Sequence, residues 1–211
     1  LVWFLAADTA RWSLLAVVVA TSLAAGLLGF GEDLKGLSVA VRSVLLLTIA
    51  GFAMGALVWM GSTFPEYWIA GTPVWVRALL VIYGVLFIAS FINVANFMDG
   101  LNGISGFHGA VAGATFACAG LISEQGWRVA AGLVLAAGFL GFLPGNLTEP
   151  GAFLGDVGSY LLGGAIAVTS FAALMSGVPI LATIGPMIIY FGDVGVTLAK
   201  RMRAGYRWDE P

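Results

Sequence analysis

Residues 77–100 read RALLVIYGVLFIASFINVANFMDG. From Ala78 to Ile92 no side chain is charged, and then Asn93, Asn96 and Asp99 arrive at i, i+3 and i+6. The run to Asn96 has the roughly 20 residues that a helix needs to cross a bilayer. On such a helix the three polar residues share one face within an arc of about 120°. Polar groups at membrane depth are costly and turn toward a bundle interior or a watery cavity, while Gly100 and Gly103 let backbone approach a ligand closely. Interhelical hydrogen bonding by the asparagines is the structural alternative.

The same pattern repeats along the chain. Of the 211 residues, 60% are hydrophobic and 9% charged, with a mean hydropathy of +1.01, a composition foreign to soluble domains. Seven apolar spans are expected: Ser13–Phe30, Val39–Gly61, Arg77–Asn96, Ile104–Ile122, Val129–Asn146, Ser159–Gly177 and Pro179–Ala199. The expected fold is an all-α, polytopic membrane helical bundle forming one transmembrane domain over residues 1–211. Gly109-xxx-Gly113 and Gly51-xxx-Gly55 are spacings that let helices approach closely in lipid, and Pro186 beside Gly185 predicts a bent last span. Cys118, the sole cysteine, permits no intrachain disulfide.

Two further acidic, glycine-bearing islands fall between spans, Gly31-Glu-Asp-Leu-Lys-Gly36 and Phe153-Leu-Gly-Asp-Val-Gly-Ser159. Span parity places Glu32/Asp33, Asp99, Asp156 and Lys200 at one membrane face. Six basic residues (Lys35, Arg42, Lys200, Arg201, Arg203, Arg207) share that face, against Arg11, Arg77 and Arg128 opposite, with Asp8 on the same side as Arg11. The positive-inside rule makes the crowded face cytoplasmic. Glu32 and Asp33 read either as a solvated loop or as site residues. Asp156, between Gly155 and Gly158, is a hard oxygen ligand suited to Mg²⁺, at a helix start whose free amides suit an anion. A simple helix terminus capped by Asp156 or Ser159 explains that island equally well. Asp193, buried in a span by position, should be paired, protonated or wet. His108 has no partner at metal-ligand spacing and reads as bundle-facing. The basic run from Lys200 suits anionic headgroups or a polyanionic substrate.

In this order, the islands resemble the polyprenyl-phosphate N-acetylhexosamine-1-phosphate transferases, the glycosyl transferase family 4 group that includes phospho-N-acetylmuramoyl-pentapeptide transferase. Glu32-Asp33-Leu34-x-Gly36-Leu37-Ser38 is similar to the family's Asp-Asp-Leu-x-Gly-Leu-Ser loop. Asn93-x-x-Asn96-x-x-Asp99-Gly100-Leu101-Asn102-Gly103 and Phe153-x-Gly155-Asp156-x-Gly158-Ser159 resemble its next two motifs, and Asp193 with Lys200-Arg201 its final acid and paired basics. Glu32 stands where many members have the first Asp of the pair, and Asn102 where the peptidoglycan enzyme usually has a second Asp; both features look closer to the polysaccharide-initiating branch.

The resemblance implies that a polyprenyl phosphate displaces UMP from a UDP-N-acetylhexosamine at the cytoplasmic face of the plasma membrane, with Mg²⁺ as cofactor. It implies Glu32, Asp33, Asp99 and Asp156 as catalytic residues, Asp156 holding the metal, and Asn93, Asn96, Asn102, Lys35, Lys200 and Arg201 as substrate-binding. Because a phosphate monoester is mostly ionised above its second pKa near 6, Glu32 and Asp33 can serve for orientation or metal binding as well as for nucleophile activation. Expected partners are the two substrates and the bilayer, with no nucleic acid; a homodimer is left open. The family's amino-terminal Pro-Thr-Pro-x-Gly-Gly-type loop and carboxy-terminal histidine-rich loop are not in the sequence. The chain therefore reads as an excerpt, with residues 1–7 as the tail of an earlier helix. The rival expectation is an ion- or proton-coupled transporter relaying charge through Asp99 and Asp193.

Overall fold

A computed structural model describes residues 12–63 and 67–204; the expectations for residues 1–7, Asp8, Arg11 and Arg207 lie outside them. The described residues form α1 (Trp12–Lys35), α2 (Val39–Thr63), α3 (Val74–Met98), α4 (Ile104–Ile122), α5 (Gly126–Asn146), α6 (Gly155–Met175), α7 (Ile180–Ile184) and α8 (Ile188–Arg203), with a 3₁₀ turn at Gly185–Met187 between the last two. Seven stretches are long and apolar enough to cross a membrane, the seventh being α7, the turn and α8 together. All seven expected spans are present. The bend falls at Gly185-Pro186, where the proline cannot supply an amide to the helical ladder.

The long helices before α7 are apolar on nearly every face because two solvents ask for the same chemistry. The interior needs apolar packing and the lipid needs apolar faces. Outward residues such as Phe52, Trp75, Val134 and Leu181 are highly exposed, while α6 supplies the centre of the bundle with fifteen of its 21 residues buried. Around α6 stand α1 and α3, with α4 and α5 paired beside them.

Small residues decide how near the helices come. A Cβ on Gly113 would lie 2.4 Å from the Ala136 amide nitrogen and 2.6 Å from the Gly132 carbonyl oxygen, so α4 and α5 touch backbone to backbone, as the Gly109-xxx-Gly113 spacing predicts. Gly51 and Gly55 behave otherwise. Added Cβ atoms there would meet nothing within 4 Å, so this pair brings no described helix close.

Three helix ends differ from the expected boundaries in ways that move chemistry. α1 runs on through Lys35, which puts Glu32 and Asp33 on its last turn rather than in a loop. α6 begins at Gly155, four residues before the expected start, so Asp156 lies inside the first turn. α3 ends at Met98 with Asp99 just past it. All three ends meet at one end of the bundle.

The α1–α6 crossing is closest at Gly29, where a Cβ would stand 2.2 Å from the Asp156 carbonyl oxygen and 2.7 Å from the Val157 nitrogen. Neither backbone can rotate away. Gly29→Ala should therefore destabilise the bundle by roughly 2 kcal/mol, as overpacking does, whereas Gly51→Ala should be neutral or better; thermal unfolding in detergent compares the two.

Candidate active site

Gly155 turns the chain into α6 with φ +68°, a backbone region that favours glycine. A Cβ there would also come within 2.9 Å of Asp33 Oδ2. The first amides of a helix have no intrahelical partners. Here the Asp156 N–H donates to Asp33 Oδ1 (3.0 Å) and the Val157 N–H to Asp33 Oδ2 (3.1 Å). A carboxylate from α1 thus caps α6 across the bundle. The free helix start expected to receive an anion is already filled by one belonging to the protein.

From α3, the Asn96 side-chain amide donates to Asp156 Oδ1 (2.6 Å) and Ser159 Oγ (3.0 Å). Ser159 Oγ in turn donates to the Asp156 carbonyl (3.3 Å). These bonds hold the Asp156 carboxylate in one orientation. Asp99 faces it from the end of α3, and together Asn96, Asp99, Phe153, Leu154, Gly155 and Asp156 line an open cavity of about 280 Å³. Phe153, 90% exposed, stands at its mouth.

Burial pushes the Asp99 carboxyl above its ordinary value; the nearby Ser105 hydroxyl acts in the opposite direction and the Asp156 charge adds to the rise. Two acids therefore face one cavity at a cost. Among the described residues no three His, Cys, Asp or Glu side chains group as a metal centre. Asp99 and Asp156 are the carboxylates on the cavity that could hold a divalent cation such as Mg²⁺, which takes one or two carboxylates and completes its shell with water and substrate phosphates. A divalent cation would also offset the Asp99–Asp156 repulsion.

Glu32 lies on the neighbouring face of α1, where its Oε1 pairs with Arg42 at 3.3 Å. The second oxygen, Oε2, is buried and has no hydrogen-bond partner among the described residues. Beneath this pair Tyr160 is fully buried and faces Arg42, Glu32 and Asp156.

The remaining expected residues are distributed unevenly. Asn93 donates to the Ala89 carbonyl within its own helix (3.1 Å) and does not line the cavity. Asn102 is exposed, its amide lying 2.9 Å from where a Gly151 Cβ would be. Lys35 is exposed at the end of α1, as is Lys200 on the last turn of α8 beside a half-buried Arg201. None of these three lines the cavity. Asp193 is exposed, and His108 faces the bundle interior against Tyr190.

Arg42, Asn146 and Tyr160 take positions at the site that the sequence reading did not assign, while Phe153 and Ser159 belong to the Asp156 motif quoted there. Asn146 is the most instructive. Its Oδ1 accepts the Gly103 N–H (2.6 Å) and its Nδ2 donates to the Ala152 carbonyl (2.8 Å), tying the turn after Asp99 to the loop before Asp156. The available signal was a lone amide ending an apolar span.

Residues 15–174 match the family model "Glycosyl transferase family 4", and the chain belongs to that family. It is 28% identical, over an alignment of 218 residues covering 90% of this chain and 52% of the relative, to a decaprenyl-phosphate N-acetylglucosaminephosphotransferase of Mycobacterium tuberculosis. The protein of that name from Mycolicibacterium smegmatis is 31% identical over 219 residues, with 90% and 52% covered. A phospho-N-acetylmuramoyl-pentapeptide-transferase of Synechococcus elongatus is 38% identical over 104 residues, 47% of this chain and 28% of that one. The chain spans about half the length of the mycobacterial relatives.

Because burial and the Asp156 charge raise the Asp99 pKa, its ionised form opposes folding. That cost is absent below the unfolded value near 3.8 and complete above the raised folded value. Asp99→Asn should accordingly raise the melting temperature at neutral pH in Mg²⁺-free buffer, and the gain should fade as pH approaches 4. Melting curves across that range check the sign.

Proposed function

We propose that this family 4 chain carries the acidic half of an active site that transfers N-acetylhexosamine 1-phosphate from a UDP-sugar to a polyprenyl phosphate. A phosphate oxygen of the lipid attacks the sugar-bearing phosphorus. The bond from that phosphorus to the oxygen shared with the uridine-bearing phosphate breaks, and UMP leaves. The products are a lipid-linked pyrophosphoryl sugar and UMP, so phosphate charge is conserved and no redox partner is needed.

The observation that supports this most is the junction of Asn96, Asp156 and Asp33 beside Asp99, which joins three helices into one open, oxygen-lined cavity at the end of an apolar bundle. A water-soluble nucleotide sugar can enter from the aqueous side while a lipid phosphate reaches the same depth from the bilayer. The names of the relatives contain polyprenyl-phosphate N-acetylglucosamine transfer, in keeping with this substrate pair. The transporter reading gains no support from family membership.

Asp156 and Asp99 would hold Mg²⁺, whose chemistry is neutralisation of pyrophosphate charge. Asn96 fixes Asp156, and Phe153 offers a ring at the mouth on which a base can stack. Asp33 acts by position, since both its oxygens are engaged on α6 amides. Glu32 is engaged by Arg42. Lys35, Lys200 and Arg201 supply the positive charge that two phosphate-bearing substrates need. The cavity end of the bundle is taken as cytoplasmic from the excess of basic residues on that side.

Asp156→Asn keeps the side-chain shape and removes the charge, and should lower Mg²⁺-dependent UMP release by orders of magnitude at near-normal expression. Retained turnover with unchanged Mg²⁺ dependence would remove Asp156 from the site. Asp33→Asn should harm turnover more than Glu32→Gln, and should also cost about 1 kcal/mol of stability, because the asparagine amide can accept only one of the two α6 N–H bonds. Its defect should persist between about pH 6 and 9, where a missing general base would be relieved as the lipid phosphate ionises.

Orientation is testable separately from chemistry. Single cysteines at Ser38 and Thr63, both exposed and at opposite ends of α2, are introduced in a Cys118→Ala background. Only the Thr63 position should react with a membrane-impermeant thiol reagent applied from outside; labelling at Ser38 would reverse the assignment.

A further inference from the structure

The last span is bound to the bundle at few points. After the break at Gly185–Met187, Tyr190 is the one residue of α8 that is fully buried. Its ring stacks on the His108 imidazole with centroids 3.8 Å apart and planes 18° from parallel, and lies 6.2 Å from Phe91. Phe191 packs on Phe91 (5.3 Å) and Phe87 (5.8 Å). Beyond this knot α8 projects Asp193, Lys200 and Arg203 as exposed residues. Lys200 and Arg201 follow Tyr190 by ten and eleven residues, roughly 15 Å along the axis.

The knot also adjoins the cavity. His108 stands one helical turn after Ser105 on α4, and Ser105 faces both the Asp99 carboxyl and the Tyr190 side chain. The Tyr190 hydroxyl is directed at Ser105, and the contact between Tyr190 and His108 is the stacking of their rings. A helix held by this aromatic knot, with a proline-containing break behind it and cations at its far end, has its direction set by the knot, of which the Tyr190–His108 stack is the closest contact.

We propose that Tyr190, stacked on His108, is the residue that positions the basic end of α8 relative to the Asp99–Asp156 cavity. It is a positioning residue that touches no substrate, and through it Lys200 and Arg201 are held where a phosphate-bearing substrate needs positive charge. The inference rests on the transfer reading above for its kinetic arm and on geometry alone for its structural one.

The structural arm uses spin labels at Phe107 and Met202, both exposed, in the Cys118→Ala protein in nanodiscs. Their distance distribution should be narrow in the parent and in Tyr190→Phe, which keeps the ring, and should broaden in Tyr190→Ala and His108→Ala. In UMP-release kinetics, Tyr190→Ala should raise KM for the UDP-sugar about fivefold with kcat within about twofold, a loss of uniform binding. Tyr190→Phe should restore the parent value. In a Lys200→Ala/Arg201→Ala background the same Tyr190→Ala change should add no further KM defect, because the effect runs through those cations. Unbroadened distances in both alanine variants, or a KM effect fully additive with loss of the two cations, would overturn the proposal. A parent protein that releases no UMP counts against the transfer reading instead, and the distances then decide the positioning role.

Discussion

A helix that starts at a membrane surface leaves its first amides without partners, and a carboxylate at the end of another helix sits against the negative end of that helix's own dipole. Each is unfavourable alone. In this protein they resolve each other, because Asp33 on the last turn of α1 accepts from the Asp156 and Val157 amides at the start of α6. The contact requires α1 and α6 to cross at backbone distance, which Gly29 allows, and requires a left-handed residue just before Asp156, which Gly155 supplies. The placement of the Asp156 carboxylate, and with it the cavity, follows from this junction.

Around the junction, binding capacity opposes stability. Asp99 and Asp156 face one cavity, and burial together with their repulsion raises the Asp99 pKa. Asn96 fixes Asp156 through a charge-assisted bond of 2.6 Å, a type stronger than neutral hydrogen bonds. One of the two acids is thereby held in a single orientation while the other is held at a cost.

Packing is graded across the bundle. α6 is buried along most of its length, and α4 and α5 touch backbone to backbone. α8 hangs beyond a proline-containing break and enters the interior through Tyr190. Asp33 and Asp156 lie where helices pack closely, and Lys200 and Arg201 lie beyond the break.

Composition and span spacing by themselves determined the membrane class, the number of spans, the parity that brings Asp33, Asp99 and Asp156 to one face, and the bend at Pro186. These are properties of hydrophobic length and of a missing amide, and both are local. The three motifs also carried the resemblance to the family that residues 15–174 match. Only the tertiary structure decided which acid does what. Glu32 and Asp33 are adjacent in sequence, yet successive helical positions point about 100° apart, so one meets Arg42 and the other the amides of α6. Asn93 and Asn96 share a face, but only Asn96 lies where α6 begins. Asn146 showed in the sequence only as a lone amide ending an apolar span and Tyr190 not at all, because their contacts depend on which helix packs against which, and that is fixed by small residues permitting close approach rather than by any motif.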